Sequence, residues 1–551
     1  MYKLKSIKLY FFSVLKLFLL NFKNYYLKSN YYNQKLLTVV PTRFFYNPSS
    51  YLSASLIPAS SDFYEITNVS PELLWKTDSK NKLKFENLHS FLWLTKIDRK
   101  KNKLFTKNII SSWIDNFYNY DPNTWNIEIT SKRIISWASN TDVTLEDSNN
   151  IYKEKFLKSL VKQSNFLIKT QGSLSYDSSK IICSAAIILS GLIFKETELN
   201  FKIGMKELER IINSCFDKSG FPKTRNPEDV FISIKYLILI REWLREAQIG
   251  VPEFLNEIIV KCGNCYSFLS TASKESPLFN GATEIDYKDY DNFLKNLKYK
   301  FNSKDFQISD LFKIKNKKFT FFMDCGNPPS NNFVKNYQAG CLSIELISGK
   351  EKIICNSGFG KYLSSKFTSL SRATAAHSAL YLNDTSTCIF EKNMVINKIY
   401  GNALIEKHKI IEKNYTEDNN SYNLTASHNG YEKKLGFIHT RSISIFKKED
   451  KILGKDKLKR TKTFSNPALY SIRFHTYPDT RVVKTKGGNS VLISLANGEG
   501  WLLKSKINNI YIEKGLFFGN KNKIMNNECI FISGSTKENE LLVEWSIERV
   551  N

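Results

Sequence analysis

The chain has 551 residues, 42% of them hydrophobic, with 39 Phe and 28 Tyr, which supplies two or three domains with large cores and excludes a disordered chain. Its 80 Lys and Arg against 53 Asp and Glu leave a formal charge of +27; this suits nucleic acid, anionic lipid or an acidic polysaccharide, yet the joint abundance of Lys, Asn, Ile, Phe and Tyr is equally the mark of AT-rich coding, so charge alone selects no partner. Nine cysteines are too few for a disulfide scaffold, and an odd number leaves one thiol over.

The segment MYKLKSIKLYFFSVLKLFLLNF at the start is basic and apolar, but Lys16 interrupts it and no small-residue cleavage site follows, which fits a secretory signal poorly. Its apolar stretch of about 14 residues is shorter than the roughly 20 that span a bilayer. Leu9, Phe12, Leu15 and Leu19 share a helical face, with Lys3, Lys5, Lys8 and Lys16 around them. The pattern suits peripheral membrane contact through an N-terminal helix, or an amphipathic helix packed on the next domain. Residues 1–67 are read as this leader and an arm.

Residues 68–300 carry helical periodicity. Asn226-Pro227-Glu228-Asp229 is a start signal, with a cap residue, proline in the first turn and two acids opposing the helix dipole. Val230, Phe231, Ile234, Leu237, Ile238 and Leu244 then recur on one face. Comparable runs fall at 105–117, 130–138, 151–169, 178–194, 203–214 and 252–270, and read as an array of helical hairpins. Cys262 and Cys265 lie inside such a run with no second pair at metal-ligand spacing, so coincidence is preferred over zinc or redox chemistry.

A Lys-, Asn- and Ser-bearing linker at 301–315 is expected to precede a change of period. From 316 to 551 the period is two, in KFTFFMDCG, LSIELIS, EKIIC, SALYL, YSIRFHTYP, SVLISL and GWLLKS, and Ala496-Asn497-Gly498-Glu499-Gly500 marks a hairpin turn. These strands predict a large antiparallel β-sandwich.

The densest polar cluster runs from Asn336 to Asp384. NYQAGCLSIELISGKEKIICNSGFG reads as a hairpin turning at Ser348-Gly349, and SRATAAHSALYLNDTS sets His377 at the entrance of a strand. Polar residues mounted on strands are a usual way to hold a site.

These residues resemble the carboxy-terminal domain of the heparinase II/III family of polysaccharide lyases in its alphaproteobacterial form. The likeness rests on Ala339-Gly340-x-Leu342-Ser343-x-Glu345, Asn356-x-Gly358 and Ala376-His377-Ser378-x-Leu380-x-Leu382-x-Asp384-x-Ser386. It extends to SGFPKTRNP at 219–227, PLFNGATEID at 277–286, ASHNGYEKKLGFIHTRSI at 426–443, YSIRFHTYP at 470–478 and LANGEGW at 495–501, so that it spans roughly residues 35–548. The resemblance implies an α+β multidomain chain, an N-terminal incomplete (α/α) toroid followed by a C-terminal antiparallel β-sandwich, with the site in the cleft between domains.

Such a lyase neutralises a uronic-acid carboxylate, removes the adjacent proton and protonates the departing glycosidic oxygen. Carried over by position, the family's His-x-His falls on Asn336-Tyr337-Gln338, a metal-binding carboxylate on Asn356, an Asn-His pair on Ser178-Ser179, and an Asp and a His on Ser219 and Pro222. A zinc site of His, Asp and His would keep only His377, so neither metal nor other cofactor is expected.

The catalytic candidates are His377 as acid or base, Tyr337 as a base if a cation lowers its pKa, and Arg225 as a fork for the substrate carboxylate. Each has a structural alternative: a satisfied core histidine, a core tyrosine facing away from Asn336 and Gln338, and an ion pair at a helix start. Asn336, Gln338, Asn226, Asn280, Tyr287 and Arg372 are the substrate-binding candidates, with Glu284 a weaker one, while His439 and His475 read as structural strand residues.

The expected function is a lyase-like protein acting on an acidic polysaccharide by β-elimination, the alternative being a catalytically degenerate binder or envelope-assembly protein. No nucleic-acid motif is present. The expected compartment is the cell envelope or periplasm, with a cytoplasmic or inner-membrane-associated location as the alternative.

Overall fold

The computed structural model describes residues 2–56, 70–76, 80–401, 403–461, 467–506, 509–536 and 538–550. It forms two compact units interleaved in sequence, one of Met1–Pro222, Asp229–Asn264 and Asp286–Phe301, the other of Lys223–Glu228, Cys265–Ile285 and Asn302–Asn551.

The first unit is helical. Asn126 opens Ile127–Ala138 by accepting from the N–H groups of Glu128 and Ile129, and Asn149 opens Asn150–Thr170 by accepting from Tyr152. Ser179–Ile193 is buried on every side from Lys180 onward, the mark of a central helix, and packs against Ile127–Ala138 and Glu198–Cys215. Two glycines allow the second approach: a Cβ on Gly191 would stand 2.2 Å from Phe201 N, and one on Gly204 would stand 2.7 Å from Ile188 Cγ1. Tyr2–Lys28 is a single helix of 27 residues, longer than the apolar stretch alone indicates.

The second unit is the sandwich. Among the described residues a nine-stranded antiparallel sheet runs Gln307–Ile308, Leu311–Lys315, Phe319–Asp324, Ile344–Ser348, Glu351–Cys355, Ala468–Thr476, Met525–Thr536, Ile510–Phe517, and Leu380–Leu382 also pairs with Ala468–Thr476. An eight-stranded antiparallel sheet runs Arg481–Lys484, Ser490–Ser494, Gly500–Ser505, Glu540–Arg549, Lys451–Arg460, Phe437–Phe446, Ser421–Tyr431, Ile410–Glu417. Phe321, Ile344, Leu346 and Phe474 from the first sheet and Ile443, Trp501, Trp545 and Ile547 from the second share one core. The first two strands lie within 301–315, where the sequence suggested a linker; Phe312 and Ile314 join the core, and two apolar residues among lysines are too short a signal to read alone.

Phe437–Phe446 alternates buried and half-buried along its whole length, and two of its inward positions are polar, His439 and Arg441. Asp456 on the neighbouring strand accepts from His439 Nε2 at 2.7 Å, from Arg441 Nε at 2.8 Å and from Trp545 Nε1 at 2.8 Å. Because a carboxylate only accepts, His439 carries its proton on Nε2 and accepts on Nδ1 from His428 Nε2 at 3.1 Å; His428 Nδ1 in turn accepts the Gly430 N–H at 3.0 Å. Burial would raise the Asp456 carboxyl, but Arg441 and His439 outweigh it and hold it well below the usual range. Arg441 also donates from Nη1 to Leu342 O at 2.9 Å and to Ser378 O at 3.1 Å, tying the loops before Ile344–Ser348 and Leu380–Leu382 to the opposite sheet.

Candidate functional site

Phe319, Phe321 and Met323 point into the sandwich core, so Asp324, at the end of the same strand, faces the other way. Its carboxylate pairs with Arg225 and accepts Asn280 Nδ2 at 2.9 Å and Gly326 N at 3.1 Å. Arg225 donates also to Asn327 O at 2.9 Å, and adopts a left-handed conformation with φ 63°, uncommon for a side chain of its size. Gly326 makes its seat: a Cβ there would be 2.0 Å from Arg225 Nη2. Asn226 accepts the Glu228 N–H at 2.9 Å, and so acts as a cap for Pro227–Glu246.

The Asn280-Gly281 turn is left-handed at both residues, φ 52° and 99°, and a Cβ on Gly281 would lie 2.6 Å from Asn336 O. This brings the Gly281 N–H to Gln338 Oε1 at 2.7 Å, while Gln338 Nε2 donates to Gly358 O at 2.9 Å and Ser371 O at 2.6 Å. The Gln338 amide is thus spent on backbone. Arg372 donates to Tyr337 O at 2.8 Å and Val334 O at 3.1 Å and lies 3.9 Å over the Phe390 ring; burial lowers its pKa to about 9. Tyr337 packs with Val334, Ala339, Cys388 and Leu404, and burial pushes its hydroxyl well above the ordinary value. Tyr337 to Gly340 lie outside any strand, so it is this packing, not strand alternation, that turns Tyr337 inward. Asn336 is half-buried, and Tyr287 belongs to the helical unit, where it stacks on Phe231.

His377 follows the turn Thr374–Ala376 in an extended conformation and is 1% exposed. A Cβ on Gly340 would be 3.0 Å from His377 Nδ1 and 3.2 Å from Ser343 Oγ, so glycine lets the imidazole lie against the chain. Among the described residues neither ring nitrogen has a hydrogen-bonding partner, nor do Ser343 Oγ and Glu345 Oε2. Burial, then the nearby His475, lowers His377 to about 3, so it is neutral at pH 7. Beside it, Glu345 Oε1 accepts Leu278 N at 2.9 Å and Asn356 N at 3.1 Å, and Asn356 Oδ1 accepts Ser378 N at 3.1 Å.

The positions where the family implies zinc do not fit it. Gln338 and Asn356 are neutral amides already bonded within the protein, which leaves His377 as the one metal-binding group; among the described residues no group of three or more His, Cys, Asp or Glu is placed to hold a metal. Cys262 and Cys265 are both buried, in the helix Glu253–Leu269.

Sequence reasoning missed Asp324 and took Glu345 only as a motif position and Glu228 only as a first-turn acid; all three hold these loops. Glu228 accepts Thr283 N at 3.1 Å and Oγ1 at 2.9 Å and pairs with Lys521 at 3.2 Å. It also missed Tyr477, whose hydroxyl donates to Glu284 Oε1 at 2.6 Å. Both residues are half-buried, and burial raises the Glu284 carboxyl despite the hydrogen bond from Tyr477. Asp324 closing a strand of aromatic residues was the one visible signal.

The chain thus combines a helical unit with an antiparallel β-sandwich whose polar cluster lies at strand ends and in the loops beside them. Residues 300–546 match the family described as Heparinase II/III-like, C-terminal. The structure is similar to crystal structures of heparinase III (TM-score 0.68, 14% identity, 84% of this chain and 77% of that one) and of a mutant of the heparan sulfate lyase HepC from Pedobacter heparinus (0.63, 13%, 92% and 86%). The curated FtsZ-localized protein C of Caulobacter vibrioides is 21% identical over 455 residues, 78% of this chain and 76% of that protein. Residues 300–546 thus form a heparinase II/III-like C-terminal domain, and the chain shares the helical toroid and β-sandwich fold of the heparinase structures.

Proposed function

We propose that this chain binds an acidic, uronic-acid-containing polysaccharide at the cell envelope and does not cleave it. The carrying observation is His377, buried, neutral and with neither nitrogen in reach of a tyrosine hydroxyl among the described residues. β-Elimination requires a base and an acid that exchange protons with the substrate, and the two groups that would orient a uronate, Arg225 and Gln338, are committed to Asp324 and to backbone. The charge of +27 favours encounter with a polyanion. A place at the envelope is part of this proposal, and peripheral membrane contact through Tyr2–Lys28 belongs to the same reading.

A second reading, cleavage by β-elimination, is favoured by the Tyr477–Glu284 pair, a hydroxyl on a carboxyl of raised pKa. One experiment separates the two. Purified protein is incubated with a panel of acidic polysaccharides, retention is scored, and absorbance is followed in the ultraviolet band of an unsaturated uronide. Retention without a rise is expected. A rise abolished in Tyr477→Phe but kept in His377→Ala would establish the second reading, and one abolished in His377→Ala would show that the buried imidazole becomes accessible to substrate.

A further inference from the structure

The N-terminal helix Tyr2–Lys28 leaves bare a face that the fold does not cover. Ile7, Phe11, Leu15, Phe18, Phe22 and Tyr25 follow one another at i, i+4, i+8, i+11, i+15 and i+18, which places them on one side of a helix. Their exposures are 65%, 68%, 47%, 68%, 67% and 79%. Ser13 and Leu27, on the opposite side, are buried at 0% and 5%. The side turned to the protein is therefore narrow, since Leu20 between them is still 43% exposed, and the side turned outward is aromatic. This face differs from the one drawn through Leu9, Phe12, Leu15 and Leu19, because Leu9 is half-buried and the exposed arc is centred near Phe11 and Phe18.

The occupant follows from charge and length. The helix holds lysines at positions 3, 5, 8, 16, 23 and 28 and no acidic residue; Lys16 and Lys23 lie on one flank of the bare face and Lys28 on the other. Two copies of such a helix laid together would repel. Among the described residues no helix is long and apolar enough to cross a membrane, whereas a helix of about 40 Å with an apolar face rimmed by lysines has the form that lies in the plane of a bilayer surface. We infer that the Ile7–Tyr25 face seats on an anionic lipid surface, with Phe11, Phe18 and Phe22 entering the acyl boundary and the flanking lysines meeting the headgroups. This deepens the envelope reading above, and takes from it only the compartment.

The test is co-sedimentation of the full chain with phosphatidylcholine vesicles, with and without phosphatidylglycerol. Binding to the anionic vesicles that weakens as salt is raised is expected. Phe11→Ser/Phe18→Ser/Phe22→Ser should lower it by about tenfold or more, with circular dichroism and thermal midpoint unchanged. Lys16→Glu/Lys23→Glu should weaken binding to the anionic vesicles and leave binding to neutral ones nearly as it was. Failure of the wild-type chain to sediment, or binding indifferent to the triple substitution, would overturn the inference. So would a concentration-dependent dimer, measured by light scattering and dissolved by the triple substitution, because a second copy would then be the occupant. Vesicle binding together with loss of all glycan retention would remove the polysaccharide reading and leave the lipid surface standing.

Discussion

Arg225 and Asp324 are 9% and 2% exposed at their side chains, and a guanidinium paired in that setting has no free fork for a substrate. Removing one member of a buried pair leaves the other uncompensated, at about 3–5 kcal/mol. Arg225→Ala and Asp324→Asn should each lower the denaturant midpoint of the sheet unit accordingly. Arg225→Ala/Asp324→Asn should cost less than the sum of the single losses, since a shared interaction is counted twice. If Arg225→Ala instead leaves stability intact and abolishes glycan retention, the arginine serves the ligand and not the fold. The sequence disclosed both possibilities for Arg225 but not the choice, because Asp324 is 99 residues away and nothing local joins them. The same holds for Gln338 and Arg372, whose donors end on carbonyls of distant loops; a side chain's spending on backbone has no periodicity to betray it. Asn226 was read both as a helix cap and as a substrate contact, and the cap was legible because its partner is two residues on.

Elements were more legible than residues. Helical runs at 105–117, 151–169 and 178–194 appear as Lys103–Phe117, Asn150–Thr170 and Ser179–Ile193, since sustained apolar spacing is set by burial of a face. The run at 203–214 begins earlier, at Glu198, because a polar first turn carries no such spacing. What periodicity does not report is how closely two helices approach. Gly191→Ala sets the helix-propensity gain of about 1 kcal/mol against a Cβ 2.2 Å from the backbone nitrogen of Phe201, a clash that only displacement of a helix relieves. A net loss of about 1–3 kcal/mol is expected, read as a lower thermal midpoint of the helical unit. Gly172→Ala is the control: no atom lies within 4 Å of a Cβ there, and its midpoint should not fall. Equal midpoints for the two variants would mean that the helices pack further apart than described.

For the molecule as a whole, acid is the sharpest lever. All six histidines are buried, and burial lowers every one: His89 and His377 to about 3, His408 and His475 to about 4, His428 well below its ordinary value, and His439 below it despite Asp456. The unfolded chain takes up a proton at each imidazole as pH falls through about 6.5, whereas the folded chain does not until much lower. Stability is therefore complete above that point and declines below it, by up to about 1.4 kcal/mol per imidazole per pH unit. The sheet unit carries five of the six, so the losses add there and become comparable to the whole stability of a domain. Urea midpoints followed by tryptophan fluorescence should fall steeply between pH 7 and pH 5; midpoints flat across that interval would show that the imidazoles are reached by solvent and protonated in the folded protein.

Arg441 adds a constraint of a different kind. Rooted on Asp456 in one sheet, it grips the carbonyls of Leu342 and Ser378 at the base of loops that belong to the other. The surroundings of His377 are thus written partly on strands of the opposite sheet, and the two sheets are not interchangeable parts: transplanted without its mate, the nine-stranded sheet would arrive with those loops unmoored.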